Sequence, residues 1–201
     1  MNADETLRVR ELAGEIAATQ RSGVKALLRE ANLPQPGFVW DPSGDLLPVP
    51  ILALLRKTWD TMRGAYDVPS VAQLESVELG DAALDCAWAD ADFRYRKVGA
   101  RLARLGGVDP ADTGASLALL LRAVLAASSL RRKPIFMLHA APARDGRTDS
   151  WARLTLPLAA EAGAGVTAFL VGAMPMAATP VSLAALYESP AARLVPLGRP
   201  H

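Results

Sequence analysis

Asp92-Phe-Arg-Tyr-Arg-Lys-Val-Gly99 is the stretch on which the fold turns. Phe93, Tyr95 and Lys97 fall on one side of an extended chain and Arg94 and Arg96 on the other, the alternation of a half-buried strand. Just upstream, Leu84 to Ala89 predicts an apolar strand, with Ala91-Asp92 as the turn between the two. Downstream, Gly99 passes the chain to a short helix, Ala100 to Leu105, closed by Gly106-Gly107. A loop from Val108 to Gly114 leads to a longer helix from Ser116 to about Arg131. Three more strands are predicted: Pro134 to Ala141, Trp151 to Leu158 and Val166 to Met174, with Asp145-Gly146 as a hairpin turn. Two strands, helices, then three strands predict an α+β fold. Its sheet is expected to be five-stranded and antiparallel over residues 84 to 174, with helices 100 to 131 over one face.

Further out, residues 3 to 33 carry Leu12, Ala13, Ile16, Ala17, Val24, Leu27 and Leu28 close to helical spacing, which predicts one helix. Pro34 to Pro50 holds five prolines and reads as a linker or extended arm in which Phe38, Val39 and Trp40 can dock. Pro50 to Arg63 predicts a helix with an apolar stripe of Ile51, Leu52, Leu55, Trp59 and Met62, ended by Gly64. Ser70 is the expected N-cap of a short helix. The expected organisation is residues 1–49 as an N-terminal helix and Pro-rich linker, 50–176 as the α+β domain, and 177–201 as a tail.

Composition excludes several classes. With 22 Lys and Arg against 21 Asp and Glu, the net charge is +1, which argues against non-specific nucleic-acid binding. The single cysteine, Cys86, excludes an internal disulfide framework, and two histidines exclude a His-rich metal site. The acidic N-terminus has no signal-peptide core. The uncharged run between Glu161 and Glu188 is broken by glycines and prolines, so it reads as turn and strand and not as a membrane span. The expected address is the cytoplasm.

No phosphate-binding loop, dinucleotide fingerprint or nucleophile elbow is present. No catalytic residue and no metal ligand is assigned. His139, in a predicted strand, reads first as a half-buried histidine with a hydrogen-bond partner, and Cys86 as a packed, inert thiol.

A series of motifs resembles a bacterial family of small stand-alone PAS-domain proteins. It runs from Leu55 with Trp59, Arg63-Gly64 and Val68-Pro69-Ser70 through Asp92 to Gly99 and Asp112-Thr-Gly114. It continues at Arg132-Lys-Pro134, Arg153-Leu-Thr-Leu-Pro-Leu158 and Phe169-Leu-Val-Gly172. The resemblance covers roughly residues 50 to 176. Two departures stand out. Ala152 replaces the acidic residue the family usually places before the arginine, and the third strand carries Phe136, Met137 and His139 where the family often has an aromatic and an arginine.

The resemblance implies a PAS-like sensory or regulatory module with no effector domain of its own, acting through an unidentified signalling partner. PAS domains hold flavin, haem or small metabolites between sheet and helices. Here no Asn-Cys-Arg motif surrounds Cys86, and His139 is the only internal histidine, so a small organic ligand or an empty cleft is left and no cofactor is assigned. The expected ligand wall is Trp88, Tyr95, Leu105, Leu120, His139 and Phe169, with Tyr95 and His139 as polar handles. Other readings are an interaction or dimerisation adaptor with a closed cleft, and a small α+β enzyme. A homodimer is expected through the N-terminal helix, whose Ile16, Val24, Leu27 and Leu28 would leave an apolar patch if it stood free; the alternative is that the helix folds back on its own sheet.

Overall fold

Asn2 opens the first element: its side chain accepts the Glu5 N–H and caps α1 (Ala3–Ala17). This computed structural model describes residues 2–105, 114–142 and 148–176. The single helix expected over 3 to 33 is two, α1 and α2 (Ser22–Glu30). Thr19 takes a left-handed φ of 63° between them, and the Glu15 carboxylate accepts the Gly23 N–H at 2.7 Å, which fixes the corner.

The Pro-rich segment is not only a linker. Gly37–Trp40 forms β1, and the helix after it, α3 (Pro50–Arg63), has its expected bounds. Ser70 and Gln73 make a reciprocal capping box on α4 (Val71–Glu75). A 3-10 turn over Gly80–Asp85 takes the first residues of the strand expected at 84, so β2 is Cys86–Asp90. Asp90 Oδ1 accepts the N–H groups of Asp92 and Arg94, and Phe93 stands at φ 60° in the turn, so β3 is only Tyr95–Val98. Then come α5 (Ala100–Leu105), α6 (Ala115–Arg131), β4 (Ile135–Pro142), β5 (Thr148–Ala159) and β6 (Val166–Met176). The expected turn at Asp145-Gly146, most of the loop from Val108, and the tail lie outside the described residues.

The strands make one mixed-sequence, wholly antiparallel sheet in the order β1-β4-β5-β6-β2-β3. It has six strands, one more than expected. β1 adds itself to the sheet by pairing Trp40 with Ile135 and Gly37 with Leu138.

Both faces are covered. Ile135, Met137, Trp151 and Ala173 point at α6, whose Leu117, Leu120, Leu121 and Val124 meet them, and α1 and α2 lie in the same core. Phe136, Leu138, Leu154, Leu156 and Leu170 point the other way, to Leu52, Leu55 and Trp59 of α3. Trp59 Nε1 donates to the Pro157 carbonyl at 2.8 Å, which pins α3 to the sheet. Gly172 lets α3 come close: a Cβ there would stand 2.6 Å from Leu55 Cδ1 and 2.7 Å from Leu52 Cδ2. Within the run that raised the membrane question, Val166–Met176 is the strand β6, and among the described residues no helix is long and apolar enough to cross a membrane.

One expectation is corrected. Ile16, Val24, Leu27 and Leu28 are each 2% exposed or less within this chain, packed with α6. Burying each stabilises the fold by roughly 1.5–3 kcal/mol, so offering the stripe to a second copy would first undo that packing. The stripe is an intrachain core, not a free dimer face.

Candidate functional site

The polar centre of the molecule lies on the sheet face beneath α6. Side chains alternate along β5, so Trp151, Arg153 and Thr155 share that face while Leu154 and Leu156 share the other. Arg153 is a guanidinium in the middle of a central strand, only 2% exposed. On one side it pairs across the ladder with Met137, on the other with Ala173. Its Nη1 donates to the Tyr95 hydroxyl at 2.8 Å. Its Nε and Nη2 are buried with no hydrogen-bond partner, and no carboxylate pairs with it among the described residues.

His139 lies on the same face, 4% exposed. It pairs with Trp151 and so stands diagonal to Arg153 on the next strand, a spacing of about 7–8 Å between backbones that long side chains bridge. Nδ1 is 3.3 Å from the Ala140 carbonyl oxygen. Burial first, and the Arg153 charge second, push its pKa down to about 3, so the ring is neutral. With Nδ1–H turned to the carbonyl, Nε2 carries a lone pair, and it too is buried without a partner.

Three unmet polar atoms on one sheet face are a costly arrangement, since each buried unsatisfied group costs about 1–3 kcal/mol. Another buried arginine in the fold shows the usual solution. Arg56 makes two hydrogen bonds to Asp60, at 2.8 and 2.9 Å, and its Nη1 lies 2.9 Å from Asp41 Oδ1 as an ion pair off hydrogen-bond geometry. Asp41 resists the upward pull of burial because Lys133 and Arg56 hold its pKa below the ordinary value. Arg56 is a structural ion pair; Arg153 has only a hydroxyl.

Of the six residues expected to line the ligand wall, four share the α6 face. Tyr95 packs against this core, Leu120 is part of it, His139 is as described, and Phe169 lies among Ala89, Leu125 and Val171 with Phe93 at 6.0 Å between ring centroids. Two do not. Trp88 is on the α3 face, because Ala87 and Ala89 take the inner positions of β2. Leu105 ends α5 and is 40% exposed. Arg153 was not among the expected site residues. The available signal was a charge at a position whose neighbours two residues away, Trp151 and Thr155, read as inward-facing.

Leu117, Leu120, Leu121 and Val124 of α6 share a buried core with the sheet's side chains and are each 1% exposed or less. Cys86 cannot serve flavin chemistry there. It faces α3, donates to the Ala82 carbonyl, and burial followed by the Asp85 charge raises its pKa to about 12.

No family model matches the chain, and no curated protein matches it. One solved structure, "Structure of an RNA-binding Light-Oxygen-Voltage Receptor", is similar at 14% identity and a TM-score of 0.41, over 94% of this chain and 58% of that one. The chain thus spans less than two thirds of the length of that structure.

Proposed function

We propose that the chain is a PAS-type regulatory module that holds a small polar ligand between its sheet and α6 and passes occupancy to a protein partner. The observation that carries this is the buried Arg153, whose Nε and Nη2 have no acceptor, beside the equally unmet Nε2 of His139. A fold without a use for those groups gains nothing from burying them. The antiparallel sheet and its helix order agree with the motif resemblance. Native mass spectrometry of freshly purified protein, with an absorption spectrum, tests the proposal. A small molecule of one mass, released on unfolding and without visible absorption, is the expected result; a bare chain that no small polar compound stabilises overturns it.

A second reading has its own support. The close packing of α6 on the sheet is what an adaptor with a closed cleft requires. The same mass measurement separates the two, since an adaptor carries nothing.

A further inference from the structure

Resting on the cleft-ligand reading above, we infer that the ligand is a small monocarboxylate, bound through the Nε–Nη2 edge of Arg153 and reaching His139 with a hydroxyl donor. The geometry of the guanidinium selects the group. Nη1 is taken by the Tyr95 hydroxyl at 2.8 Å. The two nitrogens left open, Nε and Nη2, carry the two parallel N–H bonds that match the two oxygens of a carboxylate side-on.

Charge selects the same group. Arg153 contributes one positive charge to the face, and a carboxylate contributes one negative charge. A phosphate ester brings about −1.5 to −2 and would leave a buried excess. His139 adds the second contact. Its Nε2 lone pair has no donor in the fold, so it is matched by a hydroxyl on the ligand and not by a second anion. The occupant is therefore an acid of few heavy atoms, of the size and chemistry of a 2-hydroxy acid.

The test uses the full chain, labelled with 15N-arginine, unfolded and refolded to remove any bound molecule. Sodium glycolate, acetate, phosphate and chloride are added at equal ionic strength. The Arg153 Nε–H resonance is assigned by its loss in Arg153→Lys. Glycolate should move that resonance and raise the thermal midpoint, and should bind at least about tenfold more weakly to Arg153→Lys, which keeps a charge but not the fork. Glycolate should also bind more tightly than acetate, and His139→Leu should abolish that difference while leaving acetate binding in place.

Phosphate binding more tightly than glycolate, or equal glycolate binding by Arg153→Lys, overturns the inference. A molecule found in the freshly purified wild type and retained undiminished by Arg153→Lys also overturns it, but leaves the cleft-ligand reading standing. A wild type that carries nothing, and whose resonance no carboxylate moves, sinks both.

Discussion

Arg153→Met should make the ligand-free protein more stable. The wild-type side chain is buried at 2% exposure with Nε and Nη2 unmet. Releasing two such donors recovers roughly 1–3 kcal/mol each. Against this, the Nη1 hydrogen bond to Tyr95 is lost, at about 2 kcal/mol for a bond from a charged donor. Methionine is long and flexible enough to fill most of the vacated space beside Met137 and Ala173. The net expectation is a gain of about 2 kcal/mol, or about 4–8 °C in midpoint for a chain of this size. Urea unfolding at pH 7.5, on protein refolded to remove any bound molecule, measures it. A loss of 1 kcal/mol or more would show that the guanidinium is satisfied within the fold, and the reasoning that assigns it to a ligand would fail with it.

Three other outcomes are expected. His139 is held neutral with a folded pKa of about 3 against 6.5 when unfolded, so the unfolded chain takes up the proton first and stability falls as pH drops below 6.5. The loss by pH 5 is about 2 kcal/mol, and the acid limb of the unfolding midpoint should flatten in His139→Gln by that amount. Gly172→Val should cost about 1–3 kcal/mol in chemical denaturation, because the new side chain meets Leu55 and Leu52 of α3; a neutral result would mean that α3 is free to shift. Cys86, 3% exposed with a pKa of about 12, should react with a disulfide reagent only as fast as the chain opens, so a rapid stoichiometric reaction in native buffer would contradict its burial.

Much of the framework was legible because its signals are local. Alternation located β5, a glycine-rich turn and an uncharged run located β6, Pro50 and Gly64 bounded α3, and Ser70 marked the cap of α4. β1 was hidden because its neighbours Pro34, Pro36 and Pro42 read as breakers. An edge strand is hydrogen-bonded on one side only, so prolines next to it cost little. Trp88 was turned to the wrong face because nothing local says which half of the alternation in β2 meets α6, and one residue of phase reverses every side chain. Arg153 sat in view among the motifs, but its significance depends on which atoms surround it. That is a property of three strands in register, which no local pattern carries.

The sheet places its length in the middle. β4, β5 and β6 are 8, 12 and 11 residues long, whereas the strands at its two borders, β1 and β3, have 4 each. A border of four residues offers few free backbone groups, and β3 carries the exposed cations Arg96 and Lys97, which discourage a further strand from joining. Recruitment of a partner by extending the sheet, a common way for one protein to clasp another, is thus poorly served here. On the proposed reading, a signal from an occupied interior would leave through the helices. Among these, α6 both roofs the buried arginine and supports α1 and α2, so a small displacement beneath it would be felt across the outer surface of the N-terminal pair.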